Sequence, residues 1–181
     1  MEELQVVVFD VSGETFGVET NQVGSIALYS NIKKSEQLPP FVDGYLSGRS
    51  GNIPVINLAK RLGFKETVVS RKTKIIMTNV DDGSLGFTVD DVNEILKVSQ
   101  NSFEYTPSII QDANNKYIKG VCKKGEELIS ILNLKEVLSA AEINELKEKM
   151  KEIKLDKVRF YRIGLGYVKY QKLLRVSLFF G

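Results

Sequence analysis

The side chains that could do chemistry in this chain are few, and their spacing assembles no catalyst. Histidine is absent, which removes the commonest general base and the commonest metal ligand. Ser-His-Asp and Cys-His machinery is thereby excluded. The one cysteine, Cys122, can form neither an internal disulfide nor a Cys-rich metal site. It follows the run "YIKGV" and reads as a buried structural thiol. Two pairs of adjacent acids, Asp81-Asp82 and Asp90-Asp91, have no ligands converging on them from other segments, so they read as solvated turns. Arg49 stands in "SGRSG" without a Gly-rich phosphate loop beside it. No cofactor or metal is expected, and the chain reads as a non-enzyme.

Composition narrows the partners. The chain has 181 residues, 43% hydrophobic and 27% charged, with a net charge of +2. That is ordinary for a soluble globular protein able to bury a core. The charge is uneven: residues 156–181 carry six Lys/Arg against one acid, so the remainder is mildly acidic. Nothing in that body looks like a nucleic-acid surface. No apolar run approaches the ~20 residues that span a bilayer. The start, "MEELQVVVFD", lacks a long apolar h-region, so no secretory signal is expected and a cytoplasmic location is.

What must position any functional residue is written twice. "IPVINL" at 53–58 returns as "ISILNL" at 129–134, and Gly44 and Gly120 precede them at equal distance within "FVDG" and "YIKG". Upstream, "FGVETNQVGSI" (16–26) matches "LGFTVDDVNEI" (85–95) through Gly17, Val23 and Ile26 against Gly86, Val92 and Ile95. Two blocks recurring in one order indicate two copies of one small fold. Residues 4–20 read as a hairpin turning at "SGE", and 73–91 as a second one turning at "DDGS". The hexapeptides are short apolar strands. Pro54 has no N–H to give, so an edge or bulge is expected there. Short strands at this spacing argue for small closed barrels. Asn57 and Asn133 should cap the helical turns "AKRLG" and "KEVLS". The charged stretch 65–74 looks like the passage between halves, an approximate boundary that leaves room for strands to interleave. A C-terminal helix is expected over 139–153. Ser139 and Glu142 form its capping box, and Ile143, Leu146, Met150 and Ile153 recur at helical spacing.

These residues resemble the CheW family of bacterial chemotaxis coupling proteins. "PFVDGYLSGRSGNIPVINL" (40–58) is similar to that family's central signature, and "LGFTVDDVNEIL" (85–96), "TPSIIQDANNKYIKGV" and "LISILNL" fit its later segments. The resemblance covers roughly residues 5–140. It implies an all-β fold, two five-stranded SH3-like barrels packed together with short helical turns and the C-terminal helix, over residues 1–155. It also implies a non-enzymatic adaptor joining the cytoplasmic tips of methyl-accepting chemotaxis receptors to the regulatory domain of the histidine kinase CheA. A divergent barrel adaptor for another sensory histidine kinase is the alternative.

By that resemblance, Val23, Arg49 and Ile95 fall at receptor-binding positions. Leu28 and Ile32 fall near the kinase-facing side, and Ile109 near a kinase contact. Ile109 and Ile110 are also the apolar pair in an otherwise polar loop, the kind of patch that marks a partner surface. Two departures stand out. Where the family has Asn-Leu-Arg-Gly this chain has Ser47-Gly48-Arg49-Ser50, and where it has a Glu that looks like a partner for the Arg this chain has Ser25. The tail 156–181, with three Tyr and three Phe among its cations, has no counterpart in the resemblance. Extra strands turning at Gly164-Leu165-Gly166, a partner contact and a membrane-surface segment all stay open for it.

Overall fold

Our computed structural model describes residues 3–81, 83–107 and 115–164, with side chains as far as Lys154. Its strands, in chain order, are β1 (Glu3–Val11), β2 (Glu14–Glu19), β3 (Ser25–Leu28), β4 (Val42–Gly48) and β5 (Gly51–Asn57). After the short helix α1 (Leu58–Arg61) come β6 (Lys74–Val80), β7 (Gly83–Val89), β8 (Asp91–Ser99), β9 (Phe103–Tyr105), β10 (Ile118–Lys124) and β11 (Glu127–Leu132). The long helix α2 (Ala140–Gly164) ends the described chain.

The first hairpin turns at Ser12 and Gly13, both at positive φ (54° and 81°), as a tight two-residue connection requires. Period-2 alternation then splits β1. Val7, Phe9 and Val11 enter the main core, while Val6 and Val8 enter a second cluster with Val98, Phe103, Cys122, Ile129 and Ile131.

The chain then changes sheets. A 3₁₀ turn at Thr20–Gln22 carries it out of the first sheet, and β3 pairs with β6 instead of β1 or β2. The matching crossing comes after β7, where β8 leaves the second sheet to pair with β1. The described strands thus form one sheet ordered β8-β1-β2-β11-β10-β9 and another ordered β3-β6-β7-β5-β4. Each sheet combines the first hairpin of one repeat with the second hairpin of the other. The registers agree: β2 meets β11 in parallel with Gly17 opposite Ile131, and β7 meets β5 in parallel with Gly86 opposite Val55. The stretch 65–74 runs between α1 and β6, both within the span of the second sheet.

Both sheets curl closed in the same way. β8 and β9 form one strand bent by a 3₁₀ turn, so the six-stranded sheet counts as five around its barrel. In the other, Lys33 exchanges two 2.9 Å backbone hydrogen bonds with Tyr45 of β4 and brings the β3 segment round to the far edge. Each closing segment crosses a glycine that leaves no room for a side chain. A Cβ on Gly44 would strike the Lys33 carbonyl and Ile32, and one on Gly120 the Glu104 carbonyl and Phe103. The architecture is two five-stranded SH3-like barrels with a C-terminal helix, and the main core lies between them, drawing on β1, β2, β5, β6, β7 and β11.

The capping expectations hold in detail. The Asn57 side chain accepts from Lys60 N–H and the Asn133 side chain from Lys135 N–H. Ser139 N–H donates to Glu142 and Glu142 N–H to the Ser139 hydroxyl, the two arms of a capping box. Two details differ from the sequence reading. Helix α2 runs to Gly164 rather than stopping at 153, because no Pro or Gly interrupts residues 140–163. β5 is an inner strand, not an edge. Its pairing to β7 begins only at Val55, so Pro54 has a neighbour on the β4 side alone and its missing N–H breaks no ladder on the other.

Candidate functional site

The exchange of strands leaves β3 and β8 as equivalent outer strands: among the described residues β3 pairs only with β6, and β8 only with β1. Ile26 lies opposite Ile76, and Ile95 opposite Val7. Cross-strand partners share a face, and both Ile76 and Val7 belong to the core between the barrels. Ile26 and Ile95 therefore carry that apolar face out to the surface, where they are 41% and 63% exposed. Val23 and its counterpart Val92 sit at the foot of the two strands, half-buried against the same core. Leu28 continues the β3 row opposite Lys74 and is 63% exposed. Large apolar side chains held in water on outer strands are a docking feature rather than a folding one.

The polar groups here serve the crossings. Thr78 donates its hydroxyl to the Gln22 carbonyl (2.6 Å), and the Gln22 side chain accepts from Leu134 N–H (2.9 Å). Asp90 accepts from Ser12 N–H at 2.7 Å, and Asp91 faces Lys74 at 3.8 Å. Both acids at 90–91 are thus engaged, with the β1–β2 turn and with β6. Charge rims the exposed row, with Lys124 paired to Glu94 beside Ile95. Burial first, then Asp43 and Glu66, push the Tyr29 phenol up to about 12, so it stays a neutral half-buried ring next to Leu28. Burial also pushes the Cys122 thiol up, as expected of a structural cysteine.

The site residues named from sequence separate into groups. Val23 and Ile95 lie along the inter-barrel core and its exposed extension. Leu28 projects from the same outer strand as Ile26. Ile32 is half-buried and covers Gly44, so it helps close a barrel, as the buried Phe103 does over Gly120. Arg49 is elsewhere: it is exposed at the tip of the β4–β5 hairpin, within a groove it shares with α2. It makes no hydrogen bond or ion pair with any described residue, Ser25 included. Ser25 stands on β3 opposite Met77. Ile109 and Ile110 lie outside the described residues. Exposure adds Ile26, Val68, Val69, Tyr105 and Leu128 as surface apolar residues. Of these Ile26 was signalled in the sequence, since it ends the repeated block as Ile95 does.

Comparison with known proteins gives one consistent family. The family model described as "CheW-like domain" matches residues 5–142. The chain is 28% identical over 149 residues to the chemotaxis protein CheW of Treponema pallidum, covering 80% of this chain and 88% of that one. It is 28% identical over 134 residues to the Bacillus subtilis CheW, covering 74% and 86%. Among solved structures it resembles the crystal structure of the scaffolding protein TtCheW from Thermoanaerobacter tengcongensis, with a TM-score of 0.66, 28% identity, and 74% and 90% of the two chains covered. No helix among the described residues is long and apolar enough to cross a membrane.

Proposed function

The chain belongs to the CheW-like domain family, a family of chemotaxis adaptors and not of enzymes, and from that premise we propose that it couples chemoreceptor cytoplasmic tips to the regulatory domain of the histidine kinase CheA in the cytoplasm. The receptor hairpin docks along the seam between the barrels, on Val23, Ile26 and Ile95. The kinase meets the adjoining barrel face through Leu28, with Ile32, Ile109 and Ile110 as further contacts. The observation that carries this reading is the pair Ile26 and Ile95. They are equivalent in the repeat, they extend one core face, and both are exposed. A helical hairpin presenting apolar side chains would complete that face from outside.

The test is binding of purified CheA regulatory domain and a receptor hairpin fragment from the same organism. Ile26→Asp with Ile95→Asp should weaken the receptor fragment at least tenfold, about 1.4 kcal/mol. Folding stability should stay within about 0.5 kcal/mol, as for exposed positions. Leu28→Asp should weaken the kinase domain and spare the receptor fragment. Receptor affinity unchanged in the double variant would end the seam assignment. Affinity for a different sensory kinase in place of CheA would favour the divergent-adaptor alternative.

A further inference from the structure

A second recess lies away from β3 and β8. It is a groove of about 520 Å³ bounded by the β4–β5 hairpin tip, the β6–β7 hairpin and α2. Its floor is apolar, with Ile53, Pro54, Leu85, Leu146 and Met150. Its cations are Arg49 on the hairpin wall and Lys147, Lys151 and Lys154 on the helix wall, of which Lys147 is already engaged, and none of its described lining residues is Asp or Glu. The helix places those charges in a row. Residues 147, 151 and 154 follow helical spacing beside the apolar stripe 143, 146 and 150, and they span about 10 Å along the axis. Among the described residues Lys151 pairs only with Glu148, at 3.2 Å and with both side chains largely exposed. Such a pair is worth little and exchanges readily. Arg49 and Lys154 make no ion pair with a described residue.

We propose that this groove docks an acidic amphipathic segment of a partner protein, with its apolar face on the half-buried Ile53 and Ile143 and its carboxylates along Lys151, Lys154 and Arg49. Charge decides against the nearer occupants. The chain's own tail, residues 156–181, is itself strongly basic. A second copy of the chain docked groove to groove would bring the same lysine row against this one. Juxtaposed like charges disfavour both, while an acidic partner gains attraction and a faster encounter. The groove is thus a docking face additional to the inter-barrel seam, and it gives Arg49 a role that needs no bond to Ser25.

The experiment uses the full-length protein and NMR of its backbone amides and Met150 methyl. The probe is a synthetic helical peptide carrying Leu at i, i+4 and i+7 and Glu at the flanking positions. Its Glu→Lys counterpart and vesicles of phosphatidylcholine with phosphatidylglycerol are the comparisons. The acidic peptide should shift signals from 48–54 and 143–154 and leave those of β3 and β8 unmoved. Binding should weaken several-fold between roughly 0.05 and 0.3 M salt. Lys151→Glu with Lys154→Glu should weaken it at least tenfold, and Arg49→Glu, on the opposite wall, should weaken it independently of any change in the helix. Circular dichroism of each variant checks that it is folded. Equal affinity for the Lys peptide, shifts located elsewhere, or no effect of either charge reversal would overturn the proposal. Attachment to the vesicles without peptide binding would overturn it too, by making the groove a lipid site.

Discussion

Asp43 and Lys119 occupy the same place in the two barrels, one residue before the glycine over which each barrel closes. In one barrel Asp43 is buried and accepts from Thr88 at 2.7 Å and Asn57 at 3.1 Å. In the other, Lys119 donates to Glu19, which stands where Thr88 stands in the repeat, and Asn21 supplies a second bond to Glu19 at 3.3 Å. The backbone around both joints is the same. Asn57 N–H donates to the Phe41 carbonyl at 2.8 Å, and Asn133 N–H to the Tyr117 carbonyl at 2.7 Å. The two copies therefore kept their glycines, caps and register while the polar pair between them changed its chemistry. A buried polar group needs a partner more than it needs a particular identity.

The largest effects should come from the closing glycines, and they should be unequal. Gly44 has φ of 152°, and a Cβ there would meet the Lys33 backbone carbonyl and Ile32. Gly120 has no such φ, and its Cβ would meet the Glu104 carbonyl and the Phe103 ring, 2.8 Å away. Gly44→Ala combines backbone strain with overpacking and should cost about 2–6 kcal/mol. Gly120→Ala carries the overpacking alone, about 1–3 kcal/mol. Urea unfolding of the two variants decides. A Gly120→Ala loss at least as large as that of Gly44→Ala would mean that backbone conformation does not separate the two closures.

The polar joints come next. Asp43→Ala strips the acceptor from two buried donors and should cost about 2–6 kcal/mol, at ~1–3 for each. Lys119→Met keeps most of the alkyl stem, and Lys119 is already 34% exposed. Glu19 retains Asn21, so the loss should be nearer 1–2 kcal/mol. Asp43→Lys with Thr88→Glu rebuilds one joint in the image of the other. It should recover part of what either single change loses, read as a positive coupling in a double-mutant cycle. No recovery would show that the second barrel cannot house the first barrel's pair.

Much of this comparison was legible before any coordinates. The hexapeptides, the glycines at equal distance and the two Asn caps are local features, and local geometry alone demands them. Interleaving was allowed for, but which strands exchange was not legible. Period-2 alternation tells which face a residue takes, not which strand it will pair with. β3 and β8 carry no mark that sends them to β6 and β1. Pro54 was ambiguous for the same reason: it suggested an edge or a bulge, and β5 is an inner strand whose parallel ladder starts one residue later, with the register shift falling on β4 between Val42 and Gly44. Ile26 was visible as a repeat position but not as a site, because only its place on an outer strand exposes it. Arg49 was placed near Ser25 by analogy with a motif. The hairpin tip instead holds it over α2, whose path past 153 the sequence reading had cut short.

The smallest effect tests the seam that ties the two copies together. Arg61, just after the first cap, donates through Nε to the Val137 carbonyl, just after the second, and through Nη2 to Glu142, each at 3.1 Å. Its guanidinium also lies 5.5 Å from the centre of the Phe41 ring. Burial alone would raise the Glu142 carboxyl, but the Ser139 hydrogen bonds and Arg61 together hold it below its ordinary value of 4.5. A carboxyl depressed on folding contributes its stability above the unfolded value and loses it as pH falls through the folded one. Helix α2 should therefore dock fully at neutral pH and loosen only in acid, below about pH 4.5. The pair is about a third exposed on both sides, so Arg61→Leu should cost only about 0–1 kcal/mol at neutral pH. Glu142→Gln should remove this part of the acid loss, seen as a shallower fall in urea midpoint between about pH 6 and about pH 3. A fall as steep in Glu142→Gln as in the parent would show that the Glu142 joint does not carry the acid sensitivity.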